Sequence, residues 1–214
     1  MGIQPARLIG EPPGPKDRTT MLGLLTPTDP SWVEAAERDL DRLLSDHAHC
    51  ELKAAQSALS LLARFAGEWG ELTAPLVALA HEETEHFAEV TAQLAACGRS
   101  LTLPDTDAYV RQLRQAANQD RDGGAPPLLD RLLVSALIEA RSCERFKLLS
   151  ERLSDGSLRT FYRGLMASEA RHFALFRDLA EARFGREART RLEALAVREG
   201  RLSARLPLGP TVHG

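Results

Sequence analysis

The sequence predicts an all-α fold: four long helices packed as a bundle, with a shorter crossover helix between the two pairs and an extra helix at the C-terminal side. Three observations point there. From Trp32 to about Leu206 the chain is dominated by Leu, Ala, Arg and Glu, and β-branched residues are sparse. Apolar residues return every three or four positions. Glycine and proline clusters cut the chain into segments of helix length.

The elements follow in order. Residues 1–28 hold five of the twelve prolines and no periodic pattern, and read as an N-terminal arm with a tendency to disorder. Asp29-Pro30 has the form of a helix start, and a first long helix is expected over 31–66, ended by Gly67 and Gly70. Pro75 sits in the first turn of a second, over 73–97, closed by Gly98. Pro104-Asp105 opens a shorter helix to about residue 120. The run Asp122-Gly123-Gly124-Ala125-Pro126-Pro127 is the strongest loop signal. A third long helix covers 127–153, a tight turn falls at Asp155-Gly156, a fourth covers 157–184, and a last helix covers 186–205. Pro207 and Pro210 mark 207–214 as a loose tail, which leaves 29–206 as one helical domain. Short connections within each pair imply antiparallel neighbours, and the long crossover joins the pairs.

Composition narrows the function classes. A formal net charge of −3 does not suit a simple basic nucleic-acid binder, and an aromatic share of 5% does not suit a base-stacking sheet module. The three cysteines, Cys50, Cys97 and Cys143, are odd in number and form no CxxC pair, so neither a disulfide framework nor a zinc ribbon is expected. No apolar run reaches the roughly 18 residues of a membrane span, and the first residues lack an apolar signal core, so the expected compartment is the cytoplasm.

The chemistry lies in the apolar stripes. Stepped by three and four, the stripes run Leu44-Ala48-Glu51-Ala55 on the first helix and Leu79-Glu83-His86-Val90 on the second. They run Leu132-Ser135-Glu139-Ser142 on the third and Leu165-Glu169-His172-Phe176 on the fourth. Each stripe faces the core and has one glutamate at its middle, and the second and fourth add a histidine three residues on. A lone buried carboxylate costs several kcal/mol, and four at one height would repel one another. Two divalent cations remove that cost. The Glu-x-x-His spacing sets both side chains on one face, one turn apart. Glu51 and Glu83 are 32 residues apart, Glu139 and Glu169 are 30 apart, so two antiparallel helices return each pair to the same level. One Glu on each of two helices plus Glu-x-x-His on the other two is the ligand pattern of the ferritin-like dimetal bundles. The candidate metal ligands are therefore Glu51, Glu83, His86, Glu139, Glu169 and His172, and carboxylate with imidazole and no thiolate favours two iron ions, with manganese left open.

Neighbouring residues receive other readings. Glu82 and Glu85 lie off the stripe and read as surface acids. Glu144 rivals Glu139 but sits only 25 residues before Glu169 and beside the stripe. His47, one turn before Glu51, reads as a partly exposed histidine or as a group supporting that ligand; His49 and His81 read as partly exposed. Cys143 reads as a small core residue near the metals, and Tyr162 as a packing residue with one hydrogen bond.

At these residues the chain resembles a known family. Leu44-Ser45-Asp46-His47-Ala48-His49-Cys50-Glu51-Leu52-Lys53-Ala54-Ala55 resembles the first-ligand segment of the MiaE family, and Ile138-Glu139-Ala140-Arg141-Ser142-Cys143-Glu144-Arg145-Phe146 resembles its third-helix segment. Glu83-Thr84-Glu85-His86 and Ser168-Glu169-Ala170-Arg171-His172-Phe173 are similar to its two Glu-x-x-His elements, and the likeness runs over about 25–205. The resemblance implies a tRNA 2-methylthio-N6-isopentenyladenosine hydroxylase: a di-iron monooxygenase that takes O2 and two electrons and puts one oxygen atom into a methyl C–H of the isopentenyl group. It implies the six ligands named above, tRNA as partner through its anticodon stem-loop, and an external electron-donating reductase, since no flavin or iron–sulfur motif is present.

Locally the charge allows RNA. Residues 183–205 carry seven arginines, including Arg183, Arg198, Arg201 and Arg205, against three glutamates, and Arg111, Arg114 and Arg121 form a second basic region in the crossover. They read equally as phosphate contacts or as solvated, ion-paired helix faces. Two other functions fit the dimetal pattern. One is a ferritin-like iron-handling bundle, which would assemble into a large shell; the other is a di-iron oxygenase of a small lipid-like substrate. The monooxygenase is expected to be a monomer or small oligomer with no membrane attachment.

Overall fold

A computed structural model describes residues 21–119 and 125–213. Its helices are α1 (Trp32–Arg38), α2 (Leu40–Phe65), α3 (Thr73–Ala96), α4 (Ala108–Gln119), α5 (Pro127–Arg152), α6 (Gly156–Phe184) and α7 (Arg186–Ser203). The closest packing is α2 on α3 and α5 on α6, the two pairs expected from the short connections. Contacts of α2 with α5 and of α3 with α6 join the pairs, and α7 lies against α4, α5 and α6. Gly185, at φ 55°, takes the left-handed backbone that separates α6 from α7. No helix among the described residues is long and apolar enough to cross a membrane.

Two apolar clusters flank the acid layer. One is built around Leu61, Leu76, Leu129, Leu133 and Phe176; the other is built around Trp32, Leu44, Leu94, Phe146 and Tyr162. The four long helices therefore have a dry core above and below the level of the glutamates, which fixes the height of that layer.

The structure differs from the sequence expectation at four places. The first long helix is two, because Asp39 breaks it at φ −146°, ψ 65° and its carboxylate caps the restart by accepting from the Arg42 amide. The crossover helix starts at Ala108 rather than after Pro104, because Asp107 is the residue whose side chain accepts from the Val110 amide, at 2.7 Å. The arm expected over 1–28 is not loose throughout. Leu24 is buried, and Thr28 donates from its amide and hydroxyl to Glu144. Gly200 of α7 makes room for this segment, since a Cβ there would meet Thr26 Oγ1 at 2.8 Å. Residues 1–20 lie outside the described residues.

The fourth difference is the C-terminal segment. Residues 207–213 are not the loose tail expected from Pro207 and Pro210. Thr211, Val212 and His213 are buried. The Trp32 indole donates to Gly209 O at 3.0 Å, the Val212 amide donates to Asp46 Oδ2 at 2.7 Å, and Arg145 donates to Val212 O at 2.7 Å. Proline prevents a helix but not an ordered strap, and the buried Arg145 and Asp46 need the backbone groups the strap brings.

Candidate metal centre

α2 contributes Glu51, α3 Glu83 and His86, α5 Glu139, and α6 Glu169 and His172. All six are buried, and the structure brings them into one layer. Ligand atoms of Glu51, Glu83, His86 and Glu169 lie within 4.8 Å of one another, and so do those of Glu83, Glu139 and His172, with Glu83 common to both groups. His86 Nδ1 is 3.2 Å from Glu83 Oε2, and His172 Nδ1 is 3.1 Å from Glu83 Oε1. The imidazole rings are 5.8 Å apart between centroids.

The electrostatics of this layer are those of a site made for cations. Burial, then the charges of neighbouring glutamates, pushes Glu51 and Glu169 well above the usual carboxylate range. Glu139 is also raised, first by burial. Burial works to raise Glu83 too, but its contacts with His172 and His86 outweigh it and hold this carboxyl at about 2. His172 moves the other way: burial lowers it, and Glu83 brings it up to about 9. Glu83 Oε1, Glu169 Oε1 and both nitrogens of His172 are buried without an aligned hydrogen bond, although His172 and Glu83 approach closely. Buried carboxylate and imidazole groups without aligned partners, converging on one space, are the polar groups that a metal ion satisfies. The donor set of carboxylate and imidazole, without sulfur, fits iron.

Two neighbours prove to support the layer. His47 is fully buried, with Nε2 2.6 Å from Glu51 Oε1 and Nδ1 3.4 Å from the Tyr162 hydroxyl. It is not the partly exposed histidine; of the two readings the supporting one holds. Burial takes its imidazole down to about 3, so the ring is neutral. Tyr162 packs against it with ring centroids 5.5 Å apart. Glu82 is the residue sequence reasoning missed. Its place off the stripe predicts a surface acid, yet its carboxylate sits 3.2 Å from His172 Nε2 and 3.8 Å from His86 Nε2, while Arg171 donates to it at 2.6 Å. The available signal was its position four residues before His86, on the same helix face. Glu85 is a surface acid as expected, 3.5 Å from the exposed His81. Cys143 is a buried core residue whose thiol donates to Met166 O.

Glu144 is no ligand. It pairs with Arg141, and both belong to a buried network with Glu199, Tyr109 and Thr28 on another side of α5. Glu199, one of the three glutamates of residues 183–205, is fully buried there.

A cleft of about 680 Å³ leads to the layer. Glu139, Ser135 and Phe176 are buried parts of its lining, Arg111, Arg114 and Asn118 are exposed parts, and Ile138 and Lys53 are half-buried. A smaller cleft of about 330 Å³ adjoins it, lined by Arg64, Arg114 and Arg131. Burial, then the charges of Arg114 and Arg64, lowers the Arg131 guanidinium, a sign of crowded cations. The arginines of α7 are engaged differently. Arg191 donates to Asp130 and to Ala117 O, and Arg198 donates to Ala116 O, so both fasten α7 to the C-terminal end of α4. Arg121 lies outside the described residues.

Comparison with known proteins agrees with this geometry. The family model described as tRNA-(MS[2]IO[6]A)-hydroxylase (MiaE) matches residues 18–214. The chain is 41% identical over 162 residues to the tRNA 2-(methylsulfanyl)-N(6)-isopentenyladenosine(37) hydroxylase of Pseudomonas putida, covering 76% of each chain. It is 30% identical over 203 residues to the protein of the same name from Salmonella typhimurium, covering 72% of this chain and 74% of the other. Among solved structures it is similar to a protein from Synechococcus named Protein 43 with aldehyde deformylating oxygenase activity. That match has a TM-score of 0.81 and 43% identity, over 89% of this chain and 95% of that one. The fold is thus ferritin-like, and the family match extends past both ends of the 25–205 likeness, into the arm and over the buried C-terminal strap. With its acid layer, its cleft and a family match over nearly its whole length, the chain belongs to the MiaE family of tRNA hydroxylases.

Proposed function

We propose that this chain is an O2-dependent di-iron monooxygenase that hydroxylates the isopentenyl group of 2-methylthio-N6-isopentenyladenosine beside the anticodon in tRNA. The observation that carries the reading is the cleft: it runs from exposed cations to Glu139. A nucleoside with an apolar tail and a phosphate backbone has that same order of parts.

Glu51, Glu83, His86 and Glu169 would hold one iron, and Glu139 and His172, with Glu83 shared, the other. Iron bound there supplies O2 activation, with two electrons from a separate reductase. The chain does the rest. Ile138 and Phe176 enclose the prenyl tail and keep water from the inner cleft. Lys53, Arg111 and Arg114 hold the phosphates. His47 aims Glu51, and the Glu82 carboxylate, 3.2 Å from the outer nitrogen Nε2 of His172, would orient that ring so that Nδ1 faces the metal. A flipped-out base needs only a small contact area. The reaction belongs to the cytoplasm, and the protein acts as a monomer or small oligomer.

The name of the Synechococcus protein favours a second reading, an oxygenase of a small aliphatic substrate in the same cleft. The cations at its mouth speak for RNA. Nucleoside mass analysis of tRNA from cells with and without the gene separates the two. A one-oxygen mass gain on the prenylated adenosine that vanishes on deletion supports the proposal. An unchanged profile in a cell that makes the precursor, with turnover of an aliphatic aldehyde by the iron-loaded protein, supports the second. Assembly into a large shell that oxidises many irons per chain would point to iron storage instead.

A further inference from the structure

Beside the acid layer, on the wall of the cleft, stands a second group of metal-ligating side chains that the reaction does not use. Cys50 of α2, Asp107 before α4 and His213 of the C-terminal strap have ligand atoms within 4.8 Å of one another, and all three line the cleft. We propose that they form a separate mononuclear site for a zinc-class divalent cation, with one coordination position open to the cleft.

The distances suit a single ion. His213 Nδ1 is 3.0 Å from Asp107 Oδ2 and 3.8 Å from Cys50 Sγ. At ordinary zinc bond lengths, tetrahedral geometry separates N from O by about 3.4 Å and N from S by about 3.6 Å. Sub-ångström adjustments bring both of these pairs to that geometry, and the Cys50 and Asp107 ligand atoms already lie within 4.8 Å of each other. Sulfur among the ligands selects a borderline cation of the zinc class over magnesium or calcium.

The surroundings are those of a held ligand set. The other nitrogen of His213, Nε2, lies 3.1 Å from Ser142 Oγ, which leaves Nδ1 for the metal. The ring is stacked on Tyr109 at 5.2 Å between centroids and 15° between planes, and Tyr109 is itself fixed by its hydroxyl donating to Glu199. The strap that delivers His213 is pinned by Asp46 and Arg145 at Val212. Asp107 is set by capping α4 through its other oxygen. Three protein ligands with a fourth position facing a cavity is the arrangement of reactive or exchangeable zinc sites, whereas structural ones close with four. A cation there would lock the strap to α2 and α4 and present a Lewis acid to whatever fills the outer cleft.

The test uses metal-free, full-length protein titrated with Co2+. The expected result is a near-ultraviolet thiolate-to-cobalt charge-transfer band, which the sulfur-free acid layer cannot produce. That band is lost in Cys50→Ser and in His213→Ala, is kept in Cys143→Ser and in Glu139→Gln, and disappears when Zn2+ is added. Absence of the band in the parent protein, or its survival in Cys50→Ser, overturns the proposal and leaves the three residues as a hydrogen-bonded array. Because Glu139→Gln removes a ligand of the acid layer and none of this site, failure of this site and failure of the di-iron reading are told apart.

Discussion

Helix α5 carries two buried acids five residues apart, about 140° around the helix, and they have opposite fates. Glu144 meets its counter-charge within the chain. Arg141 donates to it, to Glu199 at 2.7 Å, to Thr28 and to Thr26 O, and Tyr109 completes the set on Glu199. Glu139 meets other acids instead, with Glu83, Glu51 and Glu169 in the same layer and orphaned oxygens among them. Burial alone therefore does not identify a ligand. An acid whose cation is a nearby arginine is part of the fold, and an acid whose neighbours are acids awaits a cation from outside. The same distinction sorts the arginines. Arg191 and Arg198 are tied to carboxylate or carbonyl oxygens, whereas Arg111 and Arg114 line the outer cleft with Lys53.

This contrast can be broken at its strongest point. Arg141→Met leaves Glu144 and Glu199 buried without their cation and should cost about 3–5 kcal/mol. Denaturant unfolding of metal-free protein measures it, and a loss under about 1 kcal/mol would show that the network is not what holds α5, α7 and the N-terminal segment together. Glu139→Gln should do the reverse: metal-free protein is at least as stable as the parent, while bound iron per chain falls. A clear loss of metal-free stability would put Glu139 with Glu144 as a structural acid.

Metal affinity tests the supporting groups. Glu82→Ala should weaken iron binding by about 10- to 100-fold, read by competition with a chelator, without unfolding a protein in which Glu82 is half-exposed. Unchanged affinity would restore it to a surface acid.

The pH dependence of metal-free protein sharpens the comparison further. His172 is raised to about 9, so its contribution, complete below the unfolded value near 6.5, is lost as pH rises through 9. Glu51, Glu139 and Glu169 are raised above their unfolded value, so ionising them works against folding above about pH 4.5. The His172 contribution sets the window between pH 7 and 9, and metal-free protein should unfold at lower temperature at pH 9 than at pH 7. Iron-loaded protein should lose this trend, since the cations then compensate the carboxylates. The smallest effect is expected from Arg198→Ala, about 1 kcal/mol for one hydrogen bond to Ala116 O. Its tRNA affinity should be unchanged, whereas Arg111→Glu with Arg114→Glu should lower affinity and flatten its salt dependence.

The sequence by itself determined the helices and the acid layer. A 3.6-residue period, capping residues and glycine breaks act within one segment, and the 32- and 30-residue separations translate directly into equal heights on antiparallel helices. Hence the six candidate ligands could be named before any coordinates, and the structure does bring them together. Tertiary structure decided whatever depends on pairing between segments far apart in the chain. Glu144 could be set apart from Glu139 by spacing, but only the approach of α7 and Thr28 shows what compensates it. His47 could be placed one turn from Glu51, but its burial depends on Phe146 and Tyr162 of other helices. The C-terminal strap has no period at all. It is ordered by the unmet hydrogen-bonding needs of Asp46 and Arg145, and these become needs only once the bundle has removed both side chains from water.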